Sequence, residues 1–121
     1  MIPPIFPIAA GAPAVTALLG LSPVRFFPFG EAPQRVQKPY AVWQTIGGTP
    51  ENKLACAPDA DSYSVQMDVY GASAASVLAV AQALRDAFEP HGYITNWGGE
   101  DRDPDTNNYR FSFDFDIITN R

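Results

Sequence analysis

The run from Tyr63 to Phe88 constrains this chain more than any other, because its periodicity changes abruptly partway along. Tyr63-Ser64-Val65-Gln66-Met67-Asp68-Val69-Tyr70 alternates large apolar with mostly polar side chains and breaks at Gly71. Ser73 then stands where a helix N-cap belongs, ahead of the run from Val77 to Phe88 with its apolar residues at helical spacing. A period-two segment that turns into a period-3.6 segment within three residues is the pattern of a strand followed by a helix laid over its sheet. The helix is expected over 73–88, stopped by Pro90.

The flanking segments supply the rest of a sheet. Val24 to Phe29 reads as a strand that Pro28 confines to an edge or a short length. Tyr40 to Ile46 is rich in β-formers and stops at Gly47-Gly48-Thr49-Pro50. Residues 47–61 carry no periodic pattern, so they read as a long inter-strand loop, a length often associated with binding. His91 to Trp97 is a fourth strand, with Tyr93 and Thr95 on one face and Ile94 and Asn96 on the other. A polar turn is expected over 98–107. Tyr109, Phe111, Phe113, Phe115 and Ile117 then alternate with Arg110, Ser112, Asp114, Asp116 and Ile118, giving a strand that is apolar on one face and wet on the other.

Proline marks the start of the chain: seven of the twelve fall in the first 33 residues. Residues 1–12 read as a Pro-rich apolar arm, with Ile2 to Pro7 extended. A short helix is expected within Ile8 to Leu19, firm from Pro13 and ended at Gly20. The arm either docks on a partner or packs on its own sheet. The fold class is α+β: a single domain over 1–121, with a mixed or antiparallel sheet of about five strands, one main helix and a short N-terminal helix. The order is α-β-β-β-α-β-β.

Thirteen acidic against eight basic residues give a net charge of −5, which argues against sequence-independent nucleic-acid binding through phosphate neutralisation. Charged residues make up only 17% of the chain, a sparse surface that leaves room for contacts. Cys56 is the sole cysteine, so no internal disulfide forms and an intracellular setting is expected. No basic side chain precedes Arg25, the wrong polarity for a secretory signal. No apolar run approaches the roughly 18 to 20 residues that span a bilayer. A soluble, cytoplasmic protein is expected.

Residues that carry chemistry are scarce. His91 follows a helix end beside Pro90, where an imidazolium suits the helix dipole, and Cys56 is far from it in sequence. Asp101, Asp103 and Asp105 repeat the first half of an EF-hand loop, but Thr106 and Ser112 stand where its glycine and glutamate belong. That segment reads as a solvated hairpin tip, with a weak cation site at a subunit contact as the alternative. Asp68, Asp114 and Asp116 lie on wet strand faces and face one another if their strands are neighbours, an arrangement that suits acid–base work. No catalytic, cofactor-binding or metal-ligating residue is assigned, and the chain reads as a non-enzyme. The candidate contacts are Glu51, Lys53, Asp59 and Asp61 in the long loop, with Trp43 and Trp97 as interface anchors.

Taken together, Pro39-Tyr40-Ala41-Val42-Trp43-Gln44, Ser64-Val65-Gln66-Met67-Asp68-Val69-Tyr70-Gly71, the helix 73–88 with Ala83-Leu84-Arg85, and Tyr109-Arg110-Phe111-Ser112-Phe113-Asp114-Phe115 carry a likeness. Over roughly 13–118 the chain resembles the tail terminator or tail completion proteins of long-tailed bacteriophages, the family of the lambda tail terminator. That resemblance implies a virion structural protein, assembled in the host cytoplasm, that forms a hexameric ring on the head-proximal end of the tail tube. Its partners would be copies of itself, the tail tube protein and a head-side connector, with DNA only as passing cargo, no membrane and no cofactor. Two alternatives stand beside it. One is another neck (head–tail joining) protein; the other is a small α+β enzyme or ligand-binding domain using Asp68, Asp114 and Asp116 with the loop 47–61.

Overall fold

In the computed structural model, which describes residues 5–21, 23–51, 60–102 and 108–120, one mixed five-stranded sheet carries all the helices on one face. The elements are α1 (Ile5–Ala10), α2 (Pro13–Leu19), β1 (Phe26–Pro28), β2 (Tyr40–Glu51), β3 (Ala60–Gly71), α3 (Ala74–Phe88), β4 (Gly92–Arg102) and β5 (Tyr109–Asn120). A 3-10 turn, Glu89–His91, joins α3 to β4. The strand order is β1-β2-β3-β5-β4, with β1 parallel to β2 and every other pair antiparallel. The α+β class expected from the sequence is therefore that of the molecule, and the order of elements matches but for a second short N-terminal helix.

The segment Tyr63–Phe88 folds as its pattern dictates. Ser73 caps α3 by accepting a hydrogen bond from the Ser76 backbone N–H at 3.1 Å. Val77, Val80, Ala81, Leu84 and Phe88 form the buried stripe of α3. They meet Val65, Met67 and Val69 of β3 and Phe111, Phe113, Phe115 and Ile117 of β5, all buried. Burying one such large side chain stabilises by about 1.5–3 kcal/mol, so this layer dominates the folding energy. Phe88 stands edge-on to Phe26 at 6.4 Å and to Phe115 at 5.9 Å, tying the end of α3 across the width of the sheet. The topology then splits the strand–helix–strand unit: β4 lands two places from β3, and β5 inserts between them.

Four local expectations are corrected. Residues 5–10, expected to be partly extended, are helical. Pro7 is the third residue of α1, where an N–H has no intrahelical acceptor to lose. Ile5 and, one turn on, Ala9 are buried against the core, so this part of the arm packs on its own fold. Second, β2 continues through 47–51 and β3 begins at Ala60, where a loop was expected. The ladder from Gly47↔Ser64 to Glu51↔Ala60, entered through a bulge between Thr45 and Gly47, overrides the local Gly and Pro signals. β1 covers only Ala41–Trp43, so Pro50 lies on an edge, where a missing N–H is tolerated.

Third, β4 continues through Gly98–Arg102 by pairing with β5, where a turn was expected. Fourth, the register of β4 shifts between Ile94 and Asn96, which breaks the simple alternation and sets Ile94 opposite Phe115 and Trp97 opposite Phe113, both on the helix side. Glycine permits the close approach of β4 to β5. A Cβ on Gly92 would lie 1.8 Å from the Asp116 carbonyl oxygen, and one on Gly98 would lie 2.4 Å from that of Ser112.

Candidate assembly surfaces

The face of the sheet opposite the helices is built from the alternate residues of the same strands. The register sets Asp68 opposite Ser112, Gln66 opposite Asp114 and Ser64 opposite Asp116. The three acids thus share one face, as the sequence allowed. Asp116 accepts hydrogen bonds from Ser64 Oγ at 2.7 Å and from Tyr93 Oη at 3.4 Å. Asp68 accepts from Ser112 Oγ and from Gln66 Nε2, and Gln44 Nε2 donates in turn to Gln66 Oε1 at 3.3 Å. The Arg110 guanidinium lies 3.6 Å from Asp68 Oδ1, a half-exposed pair that contributes at most about 1 kcal/mol.

Asp68 and Asp116 thus sit in a ladder of hydrogen-bonded polar groups that spans β2, β3 and β5. The only histidine, His91, stands in the turn after α3 and not on this face, so no imidazole relays a proton here. At one end of the face, the Tyr40 and Tyr70 rings stack with centroids 5.1 Å apart. Burial raises the phenol pKa of both; for Tyr70 the Asp68 carboxylate adds to the rise and Arg110 opposes it. Among the described residues, no group of three or more His, Cys, Asp or Glu side chains is placed to hold a metal ion. No described helix is long and apolar enough to cross a membrane.

The two edges of the sheet differ from this face. Beside β4, a cleft of about 380 Å³ is lined by Arg85, Glu89, Gly92, Tyr93, Ile94 and Trp97. Trp97 packs on Phe111 and Phe113, with centroids at 4.7 and 5.1 Å, yet stays 38% exposed. The guanidinium carbon of Arg85 lies 5.2 Å from the Trp97 ring centroid. Arg85 Nε is shielded from solvent and lacks a well-formed hydrogen bond. The Asp86 and Glu89 carboxylates lie nearby at 3.5 and 3.4 Å, close enough for attraction but poorly aimed.

At the other edge, the segments on either side of β1, Gly20 and Leu21 with residues 23–25 before it and residues 29–39 after it, form a flap. Arg25 anchors it, donating from Nε to the Pro39 carbonyl at 2.9 Å and from Nη2 to the Leu18 carbonyl at 3.1 Å. Leu21 is 75% exposed and Phe29 71%, the two most exposed large apolar side chains among the described residues.

Of the interface anchors named from the sequence, Trp97 is partly exposed at the β4 edge. Trp43 is half-buried within its own fold, 4.6 Å from the Phe26 ring and 6.4 Å from that of Phe6 on α1. Glu51 closes β2, and Asp61 pairs in register with Pro50; Lys53 and Asp59 lie outside the described residues. The same holds for Cys56 and for Asp103 and Asp105 of the acidic segment, while Glu100 and Asp101 stand in β4. Sequence reasoning missed the flap residues and the Arg85 cleft. The available signal was two large apolar residues each beside a glycine, Leu21 next to Gly20 and Phe29 next to Gly30; Phe29, read as the end of a strand, falls just outside β1.

A comparison with known families matches residues 4–120 to the family described as tail completion protein gp17. A search of curated proteins found no match. Since the family match runs over almost the whole chain, α1 to β5 included, this chain belongs to the phage tail completion protein family.

Proposed function

We propose that this tail completion protein forms a homo-oligomeric ring, hexameric in its finished form, that caps the head-proximal end of the tail tube and joins it to the head-side connector. The observation that carries this reading is the extent of the family match, residues 4–120, which attaches the family's role to the whole fold and not to a fragment. The surfaces support it. Large apolar side chains are left uncovered at both edges of the sheet, while Asp68 and Asp116 on the open face are hydrogen-bonded within it. Lys53 and Asp59 between β2 and β3, with Glu51 and Asp61 at the adjoining strand ends, would meet a neighbouring copy or the tail tube.

Subunits would assemble from the host cytoplasm, and DNA would cross the ring as cargo. Each copy carries a net charge of −5, so a hexamer carries about −30, a field that disfavours lasting phosphate contacts and lets duplex slide. The direct test is polymerisation of the cognate tail tube protein with and without this chain. Tubes should stop growing and carry the protein at one end only. Unchanged tube lengths with no end-bound protein would refute the capping role.

A further inference from the structure

We infer that copies of this chain join head-to-tail, with Phe29 of one copy seated in the cleft between α3 and β4 of the next. The inference rests on the homo-oligomer reading above and specifies which two surfaces meet. Three observations lead to it. The first is placement: the flap lies at the β1 edge and the cleft at the β4 edge, the two opposite ends of one sheet. A contact between two different patches on identical chains is heterologous, and successive contacts of that kind close into a ring when the rotation between copies allows it.

The second is chemistry. The cleft presents Trp97, Tyr93 and Arg85 around Ile94, the residue types that dominate binding energy at protein contacts. Its concave form, about 380 Å³, suits a single inserted aromatic ring, and Phe29 projects such a ring at 71% exposure.

The third is charge. In the flap, Arg25, Arg35 and Lys38 stand against Glu31 alone, two net positive charges. Along the β4 edge, segment 85–102, Asp86, Glu89, Glu100 and Asp101 stand against Arg85 and Arg102, two net negative charges; within the cleft itself Arg85 and Glu89 balance, and the excess lies on either side of it. Opposite charge on the two edges favours the β1 edge of one copy against the β4 edge of the next and disfavours either edge meeting its own copy.

Sedimentation velocity of the whole chain over a concentration series tests this, using Phe29→Asp on the flap and Trp97→Ser in the cleft. Each variant alone should associate about thirtyfold more weakly than the wild type, the loss expected of a contact hot spot. An equal mixture of the two should form a pair of unlike chains and stop there, because only one intact flap and one intact cleft remain to meet. Leu21→Asp and Glu89→Lys, both at exposed positions, serve as a second flap and cleft pair if circular dichroism shows that Trp97→Ser has disturbed the fold. Wild-type association that all four substitutions leave unchanged would overturn the inference while the oligomer stands. So would variants that each pair with themselves while the mixture adds nothing. A wild-type chain that stays monomeric at every concentration, and shows no ring in assembled tails, would overturn the oligomer reading as well.

Discussion

The two faces of the sheet are made by the same strands and do opposite work. On β3 and β5, Val65, Met67, Val69, Phe111, Phe113 and Phe115 point into the helix layer and are at most 3% exposed. The residues between them, Ser64, Gln66, Asp68, Ser112, Asp114 and Asp116, form the polar ladder on the other side. One face gains its energy from area removed from water, the other from hydrogen bonds whose net worth is about 1 kcal/mol each. The chain is thus folded by one face, while the other is kept regular and wet. At the edges neither scheme is complete, which is why the proposed contacts are placed there.

Substitutions can break that contrast, and the largest effect is expected on the helix side. Phe113→Ala should cost about 3–5 kcal/mol, read from denaturant unfolding, because a fully buried ring packed against Trp97 leaves a cavity. On the ladder, Asp68→Ala should cost about 1–3 kcal/mol, since it strips Ser112 and Gln66 of their acceptor and Arg110 of its counter-charge. A cost on the open face equal to that of Phe113→Ala would erase the distinction between the faces. At the start of α3, Ser73→Ala should cost about 1 kcal/mol through the lost cap, measurable as a lowered thermal midpoint with an unchanged assembly constant.

The smallest effect is in the tyrosine pair. The Tyr40 and Tyr70 phenols are held above the ordinary value of 10.0, so the folded state favours their neutral forms. Their stabilising contribution is whole below the unfolded pKa and is lost as pH rises through the raised folded values. Phenolate absorbance should therefore show two late-titrating tyrosines, and Tyr70→Phe should remove one of them. Titration of all five tyrosines together at the ordinary value would contradict the stacked, half-buried pair.

What the sequence showed and what it hid follow one rule. Tyr63–Phe88 and Tyr109–Ile117 were legible because one face of each is buried, and burial writes a period into the residue types. The outer halves of β2 and β4 were hidden because a partner strand decides them: Gly47, Gly48, Gly98 and Gly99 say turn locally, while the ladders say strand. Pro7 concealed α1 for a related reason, since a proline in a first turn looks like a breaker until the helix boundary is known. The three acids could be assigned to a wet face from alternation, but only the strand order shows that Asp68 and Asp116 meet hydroxyls and an amide. The edges left no periodic trace, because Phe29 and Leu21 lie in a flap held by Arg25 and not in a repeating element.

A reconstruction of the assembled tail with its neck tests the central claim most directly. The account predicts a closed ring of copies at the head-proximal end of the tube, each flap against its neighbour's α3–β4 cleft, with the helix-covered core intact in every copy. A single copy in the neck, or copies placed anywhere but the head-proximal end of the tube, would contradict it.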